Sequence, residues 1–211
     1  MSFTFAAPPQ NAVAAVHATG AAAWVTVTHP DEARRAVAAG ADALVVQGVE
    51  AGGHRGSFDD GPADIALLPL LALVRAAVDV PLVATGAIAT RAAVTAVLTA
   101  GAAAAQAGTA FMLCPEAGTA PAHRAAIAAP GHTALTRAFS GRLARGIENR
   151  LLREHSAAAP SAYPEINHIT APLRAHGRAT GDADLINLWA GQAHELARPI
   201  AAAEVVRALA P

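Results

Sequence analysis

From Met1 to about Phe111, short runs of strand-forming residues alternate with helical patterns that end on glycine, and this alternation fixes the class of fold. A chain that repeats strand then helix lays its strands parallel, because each crossover helix carries the chain back to the same end of the sheet. The strand runs fall at Phe3–Phe5, Ala23–Val27, Ala43–Gln47, Pro81–Ala84 and Ala104–Ala107. Helices fill the gaps. After Thr28, a capping box of Thr28 and Asp31 is expected, with Asp31 and Glu32 at the positive helix end and Gly40 as the stop. A second helix begins at Thr90, sets Val94, Val97 and Leu98 on one face and stops at Gly101, and a third starts near Pro69 and runs to Val78.

After Phe111 the alternation stops. The stretch to Ala179 mixes Pro, Gly and polar residues, with helical segments expected at Ala122–Ala128 and Ile147–Glu154. The tail from Pro199 to Leu209 places Ile200, Val205, Val206 and Leu209 as the apolar face of a final amphipathic helix. The expected organisation is therefore a βα region over 1–111, an inserted lid region over 112–194 and a returning C-terminal helix over 195–211.

Composition narrows the partners. With a formal net charge of −1 and only 15% charged residues, the chain offers no electrostatic case for nucleic acid or an anionic membrane surface. Its apolar residues, largely alanine, form no unbroken stretch of membrane-spanning length, and MSFTFAAPPQ does not read as a signal peptide. The single cysteine, Cys114, rules out an internal disulfide framework and fits a cytoplasmic setting. With no cysteine pair and no HExxH, no metal is expected, and a small molecule is the expected partner.

Chemistry is concentrated in Ala43 to Gly56, reading ALVVQGVEAGGHRG: a buried-strand run opens onto a glycine-rich loop that presents His54. In parallel α/β proteins, reactive side chains sit where the carboxyl end of a strand meets the next loop. Imidazole titrates near neutrality, so His54 suits proton transfer from an acidic carbon, against the alternative of a histidine that only hydrogen-bonds its own loop. Gln47 is either a ligand-facing amide or a cap for backbone groups. Arg142, Arg145, Arg150 and Arg153 suggest anion capture or, better, a solvated face paired with Glu148 and Glu154. Trp189 reads as a pocket wall or as core. His29, His123 and His168 lack ligand spacing and read as surface or satisfied loop residues.

The loop ALVVQGVEAGGHRG resembles that of the nitronate monooxygenase (2-nitropropane dioxygenase) family, FMN enzymes built on a (β/α)8 barrel. VATGAI (Val83 to Ile88), QAGTAF (Gln106 to Phe111), SGRLARG (Ser140 to Gly146) and LWAGQ (Leu188 to Gln192) resemble further family segments, in the family's order. The resemblance implies an FMN-dependent monooxygenase that uses dioxygen to convert alkyl nitronates into a carbonyl compound and nitrite. It implies His54 as catalytic base toward a nitroalkane's α-carbon, or as the group that positions the nitronate anion, with Gln47 and Gly52 against the flavin ring and Gly86, Ala87, Gln106, Ala107, Gly108 and Thr109 around its phosphate. One position departs from the family: two glycines are usual at the turn, and here Ala87 follows Gly86, a strained choice if that backbone needs positive φ.

A full barrel needs about 250 residues, and the five strands align with family strands four to eight. The expected architecture is thus an incomplete barrel with a helical insertion. An upstream start, an inactive remnant, and completion by a complementary N-terminal half or within a homo-oligomer are all compatible with that alignment. An FMN-dependent enoyl-acyl-carrier-protein reductase, which has a similar AGGH loop, is the alternative enzyme.

Overall fold

The computed structural model describes residues 1–61 and 64–211. The first element is a short strand, β1 (Ser2–Phe3), followed by α1 (Gln10–Ala18), β2 (Trp24–Val27), α2 (Pro30–Ala38), β3 (Ala43–Gln47), β4 (Gly53–His54), α3 (Leu67–Ala77), β5 (Leu82–Thr85), α4 (Arg91–Thr99) and β6 (Ala104–Gln106). Five of these strands form one parallel sheet in the order β1-β2-β3-β5-β6, which is open at both edges. Strand alternation divides its residues between two faces. Val25, Val27, Leu44, Val46, Leu82 and Ala84 point into a core shared with Ala33, Leu70, Leu71, Val74 and Val97 of the helices. The intervening Thr26, Val45, Gln47 and Thr85 line a cleft on the other face.

The expected strands are all present, β3 with the expected ends and the other four with shifted ones. β1 stops at Phe3 because Phe5 adopts φ +78, outside the extended region. The capping box moves by one residue: His29 caps α2, its Nδ1 accepting from the Asp31 amide at 3.2 Å. Glu32, not Asp31, reaches back, accepting from the Thr28 amide at 2.6 Å and the Thr28 hydroxyl at 3.0 Å. The same buried carboxylate takes the Phe58 amide at 2.6 Å, so it also ties down the chain beyond the His54 loop. Thr90 caps α4 as expected, its hydroxyl accepting from Ala93 at 3.1 Å. Pro69 lies inside the first turn of α3, which starts two residues earlier at Leu67.

The second half departs from the expected helical insertion. α5 (Pro121–Ala128) leads to β7 (Thr133–Thr136) and β8 (Ala144–Ile147), which pair antiparallel, and β8 pairs on its other edge with β4. A second, three-stranded sheet thus reaches back to grip the His54 loop. Ile147 ends β8 rather than starting a helix. Helix α6 (Arg150–His155) begins after Asn149, which caps it and donates to the Ala183 and Ile186 carbonyls, each at 2.8 Å. α7 (Glu165–Ile169), α8 (Ala171–Thr180) and α9 (Ala202–Leu209) complete the chain. In α9, Val205 is buried against Ala110 and Cys114, with Ile200 and Leu209 packed beside it. Val206, expected on the apolar face, is exposed. No helix among the described residues is long and apolar enough to cross a membrane.

Candidate active site

At the carboxyl end of β3 the chain makes a tight excursion that brings His54 back over the sheet. Gln47 holds it by both ends of its amide: Nε2 donates to the His54 carbonyl at 3.1 Å, and Oε1 accepts from the Gly56 amide at 2.8 Å. The backbone-capping alternative is therefore real, although Gln47 also faces the cleft. Buried Arg55 donates to the carbonyls of Gly48 at 2.6 Å and Gln47 at 2.9 Å. Burial, helped by Arg145, pushes its guanidinium down to about 10. Gly52 has no room for a side chain, since an added Cβ would lie 2.4 Å from the Ala190 carbonyl carbon and the Gly191 nitrogen.

His54 lies in β4, clasped by Ala144 of β8, rather than in a free loop. Its Nε2 is 2.8 Å from the Ser140 hydroxyl. Three rings meet it edge-on: Phe5 at 6.1 Å, Tyr163 at 5.8 Å and Trp189 at 5.5 Å between centroids. Burial among these groups holds the imidazole below its ordinary pKa, and the nearby charges of Arg142 and Arg174 add to this against the opposing Asp60. A neutral imidazole is the form that accepts a proton.

A cleft on the sheet face collects Gln47, Gly52, Gly86, Ala87, Gln106, Ala107, Gly108 and Thr109, while His54 is outside its lining and is tied to it through Gln47. These are all eight positions singled out for a cofactor. The cleft, about 240 Å³, also takes in Thr4, Thr26, Thr85 and Gly191, which sequence spacing did not single out. Thr85 donates to the Gln106 carbonyl at 3.0 Å, and the Gly191 amide donates to the Thr109 hydroxyl at 3.1 Å, joining the two strand ends to the C-terminal segment. Among the described residues, the amides of Gly86, Ala87 and Gly108 donate to no protein acceptor. Such converging free N–H groups suit an anion. Gly86 adopts φ +138, and a Cβ at Gly108 would meet nothing within 4 Å, so the backbone is open to an incoming group. Ala87 adopts φ +52, so this alanine does occupy the left-handed region that glycine favours.

The arginine run divides: Arg150 and Arg153 are exposed, as a solvated face requires, and the other two are not. Arg142 and Arg145 are buried. Arg142 donates to the carbonyls of Arg55 and Ser57, with its guanidinium carbon 4.1 Å from the Phe5 ring centroid. Arg145 donates to the Val49 carbonyl at 2.8 Å and to Thr133. Glu148 and Glu154 form no ion pair with them among the described residues. Buried carbonyls need donors, and a long guanidinium supplies several from one side chain.

Trp189 combines both of its readings. It packs on Phe139 at 5.4 Å and walls a neighbouring cavity of about 640 Å³ together with His123. His123 is half-buried, donating to the Trp189 carbonyl at 3.0 Å, and burial lowers its pKa. Of the other histidines, His29 is the exposed cap of α2 and His168 is exposed. Among the described residues no cluster of His, Cys, Asp or Glu converges as a metal site.

The family model for nitronate monooxygenase matches residues 1–211. The chain is 44% identical to a nitronate monooxygenase of Pseudomonas aeruginosa, over 99% of its own length and 62% of the relative's. It is 38% identical to a nitronate monooxygenase of Paraburkholderia phytofirmans, over 99% and 59% of the two lengths. It thus spans about three fifths of these curated relatives. Among solved structures, a nitroalkane oxidase from Streptomyces ansochromogenes superposes with a TM-score of 0.97 at 48% identity, covering 99% of this chain and 62% of that one. FabK from Thermotoga maritima superposes with a TM-score of 0.79 at 24% identity, covering 95% of this chain and 63% of that one, a likeness of fold alone.

Proposed function

Because the chain belongs to the nitronate monooxygenase family, we propose that it carries the FMN-binding and proton-handling part of an enzyme that uses dioxygen to turn alkyl nitronates into a carbonyl compound and nitrite. The observation that carries this reading is the convergence of unpaired Gly86, Ala87 and Gly108 amides in one cleft whose Gln47 also holds the loop of a half-buried, depressed-pKa histidine. FMN, when bound, supplies the electron-transfer chemistry that side chains lack.

In this reading the 86–87 and 106–109 segments hold the flavin phosphate, and Gln47 and Gly52 lie against its ring. Gln47 keeps a second amide proton for that purpose while its other bonds brace the His54 loop. When the neutral nitroalkane is presented, His54 takes the proton from its α-carbon and so generates the nitronate; when the nitronate itself enters, the same imidazole positions the anion. The rings of Phe5, Tyr163 and Trp189 keep water from the imidazole and give an alkyl substituent an apolar surface. The five parallel strands are the later part of a (β/α)8 barrel, equivalent to family strands four to eight. Segment 112–194 is the lid and 195–211 the returning helix. A cytoplasmic location, with buried Cys114 as the one thiol, belongs to the same reading.

The test is direct. The purified chain is expected to carry FMN, seen as flavin absorbance and identified after denaturation, and to consume oxygen and release nitrite when given an alkyl nitronate. A colourless protein that regains flavin only with an added N-terminal half would assign the activity to the completed barrel. Failure to bind flavin in either form would leave an inactive remnant.

A further inference from the structure

Ser140 is buried and held in a tight turn, with its amide and that of Gly141 both donating to the Arg137 carbonyl, at 3.2 and 2.8 Å. Gly141 adopts φ +77 where an added Cβ would lie 2.2 Å from the Ala162 carbonyl oxygen. The hydroxyl is therefore fixed in position. It faces three groups: His54 Nε2 at 2.8 Å, the Arg142 carbonyl at 3.2 Å and the Arg142 amide at 3.4 Å. A hydroxyl has one proton to give and two lone pairs. The Arg142 carbonyl can only accept, and among the described residues the Ser140 hydroxyl is its one donor. The Arg142 amide can only donate. Imidazole alone can take either role, so the arrangement that pairs every group has Ser140 donating to the carbonyl and His54 Nε2–H donating to Ser140. Nδ1, which has no protein partner among the described residues, then carries the lone pair.

We propose that Ser140 is a positioning residue that fixes His54 as the Nε2–H tautomer, so that Nδ1 is the nitrogen that takes the substrate proton. The inference rests on the reading of His54 as the base. In the step itself, which acts on the neutral nitroalkane, the α-carbon C–H bond breaks, its electron pair stays on the substrate as the nitronate, and the proton forms an N–H bond at Nδ1. The Nε2–H bond to Ser140 persists throughout, so the ring does not have to turn. The charged groups around the imidazole, Arg142, Arg174 and Asp60, sum to a field that opposes a second proton on the resting ring. That leaves the neutral tautomer as the state Ser140 acts upon.

The experiment is long-range proton–nitrogen NMR on the chain labelled with 15N-histidine, with the His54 signals identified by their loss in His54→Ala. The wild-type ring is expected as a single Nε2–H tautomer above its titration. Ser140→Ala is expected to show both tautomers and to lose about tenfold in the rate of α-proton abstraction, the scale of one hydrogen bond of about 1.4 kcal/mol. Ser140→Thr keeps the hydroxyl and is expected to restore the single form and the rate. An Nδ1–H ring in the wild type overturns the proposal, as does a Ser140→Ala spectrum identical to wild type. If Ser140→Ala does not fold, the wild-type spectrum decides alone. Proton abstraction that survives in His54→Ala would remove the base reading, an outcome distinct from either spectrum.

Discussion

The two sheets of this molecule are held together by different physics. In the parallel sheet, β2, β3 and β5 press fully buried Val, Leu and Ala side chains onto helices, and the stabilising term is apolar surface removed from water. In the antiparallel sheet, β8 contributes only the residues Ala144–Ile147, and Arg142 and Arg145 beside and within it feed donors to carbonyls of the His54 region. Its apolar clusters, around Ile147 and around Phe139, are small. The first arrangement tolerates variation in side-chain shape. The second depends on particular donors at particular carbonyls. The candidate site lies on the seam, with its cleft on the parallel sheet and its histidine clasped by the antiparallel one.

The largest break in this comparison comes from the seam itself. His54→Ala should lower the rate of substrate proton abstraction by about 10²- to 10⁴-fold, the usual worth of a positioned acid–base group, while flavin absorbance and circular dichroism stay as in the wild type. Stopped-flow kinetics with a deuterated carbon acid would check it. Next, Leu44→Ala in the centre of the parallel sheet should cost about 2–5 kcal/mol of global stability, read from denaturant midpoints. Arg142→Lys should cost less, about 1–3 kcal/mol. Its effect should be local: faster amide hydrogen exchange at 54–58 with β3 unchanged. Equal loss of protection in both sheets would erase the proposed distinction.

Two smaller effects sharpen it. Ala87→Gly should stabilise the chain by up to about 1 kcal/mol by relieving the positive φ, seen as a rise in Tm of about 2–4 °C. The last is pH dependence. The folded pKa of His54 lies below its unfolded value, so on acidification the unfolded chain takes up this proton first. Stability linked to His54 is therefore complete above pH about 6.5 and declines as pH falls from there toward the folded pKa. A wild-type thermal stability that falls no faster than that of His54→Gln below pH 6.5 would show that the seam does not hold a neutral ring.

The contrast between the sheets also explains what could be read ahead of the structure. β3 was legible to the residue because Ala43–Gln47 is an uninterrupted strand-forming run ending at glycine, and local pattern decides buried parallel strands. Thr90 and the glycine stops at Gly40 and Gly101 were legible for the same local reason. β7 and β8 were not, because TALT and ARGI carry little strand signal and their pairing is set by partners far along the chain. Arg142 and Arg145 looked like a solvent-facing run because charge in sequence says nothing about which carbonyls lie in reach. Ser140 was visible as part of SGRLARG, yet no spacing links it to a histidine 86 residues earlier.

By itself, then, the sequence determined the parallel βα order, the strand ends at which the eight cleft residues lie, and the presence of one glycine-flanked histidine, since each is written in near-neighbour pattern and turn chemistry. Tertiary structure alone decided that an antiparallel sheet folds back to hold that histidine, that buried arginines satisfy the carbonyls around it, and that a serine and three aromatic rings set its environment. Those contacts join residues dozens of positions apart, where geometry and the need to pair every buried polar group select partners that no local pattern names.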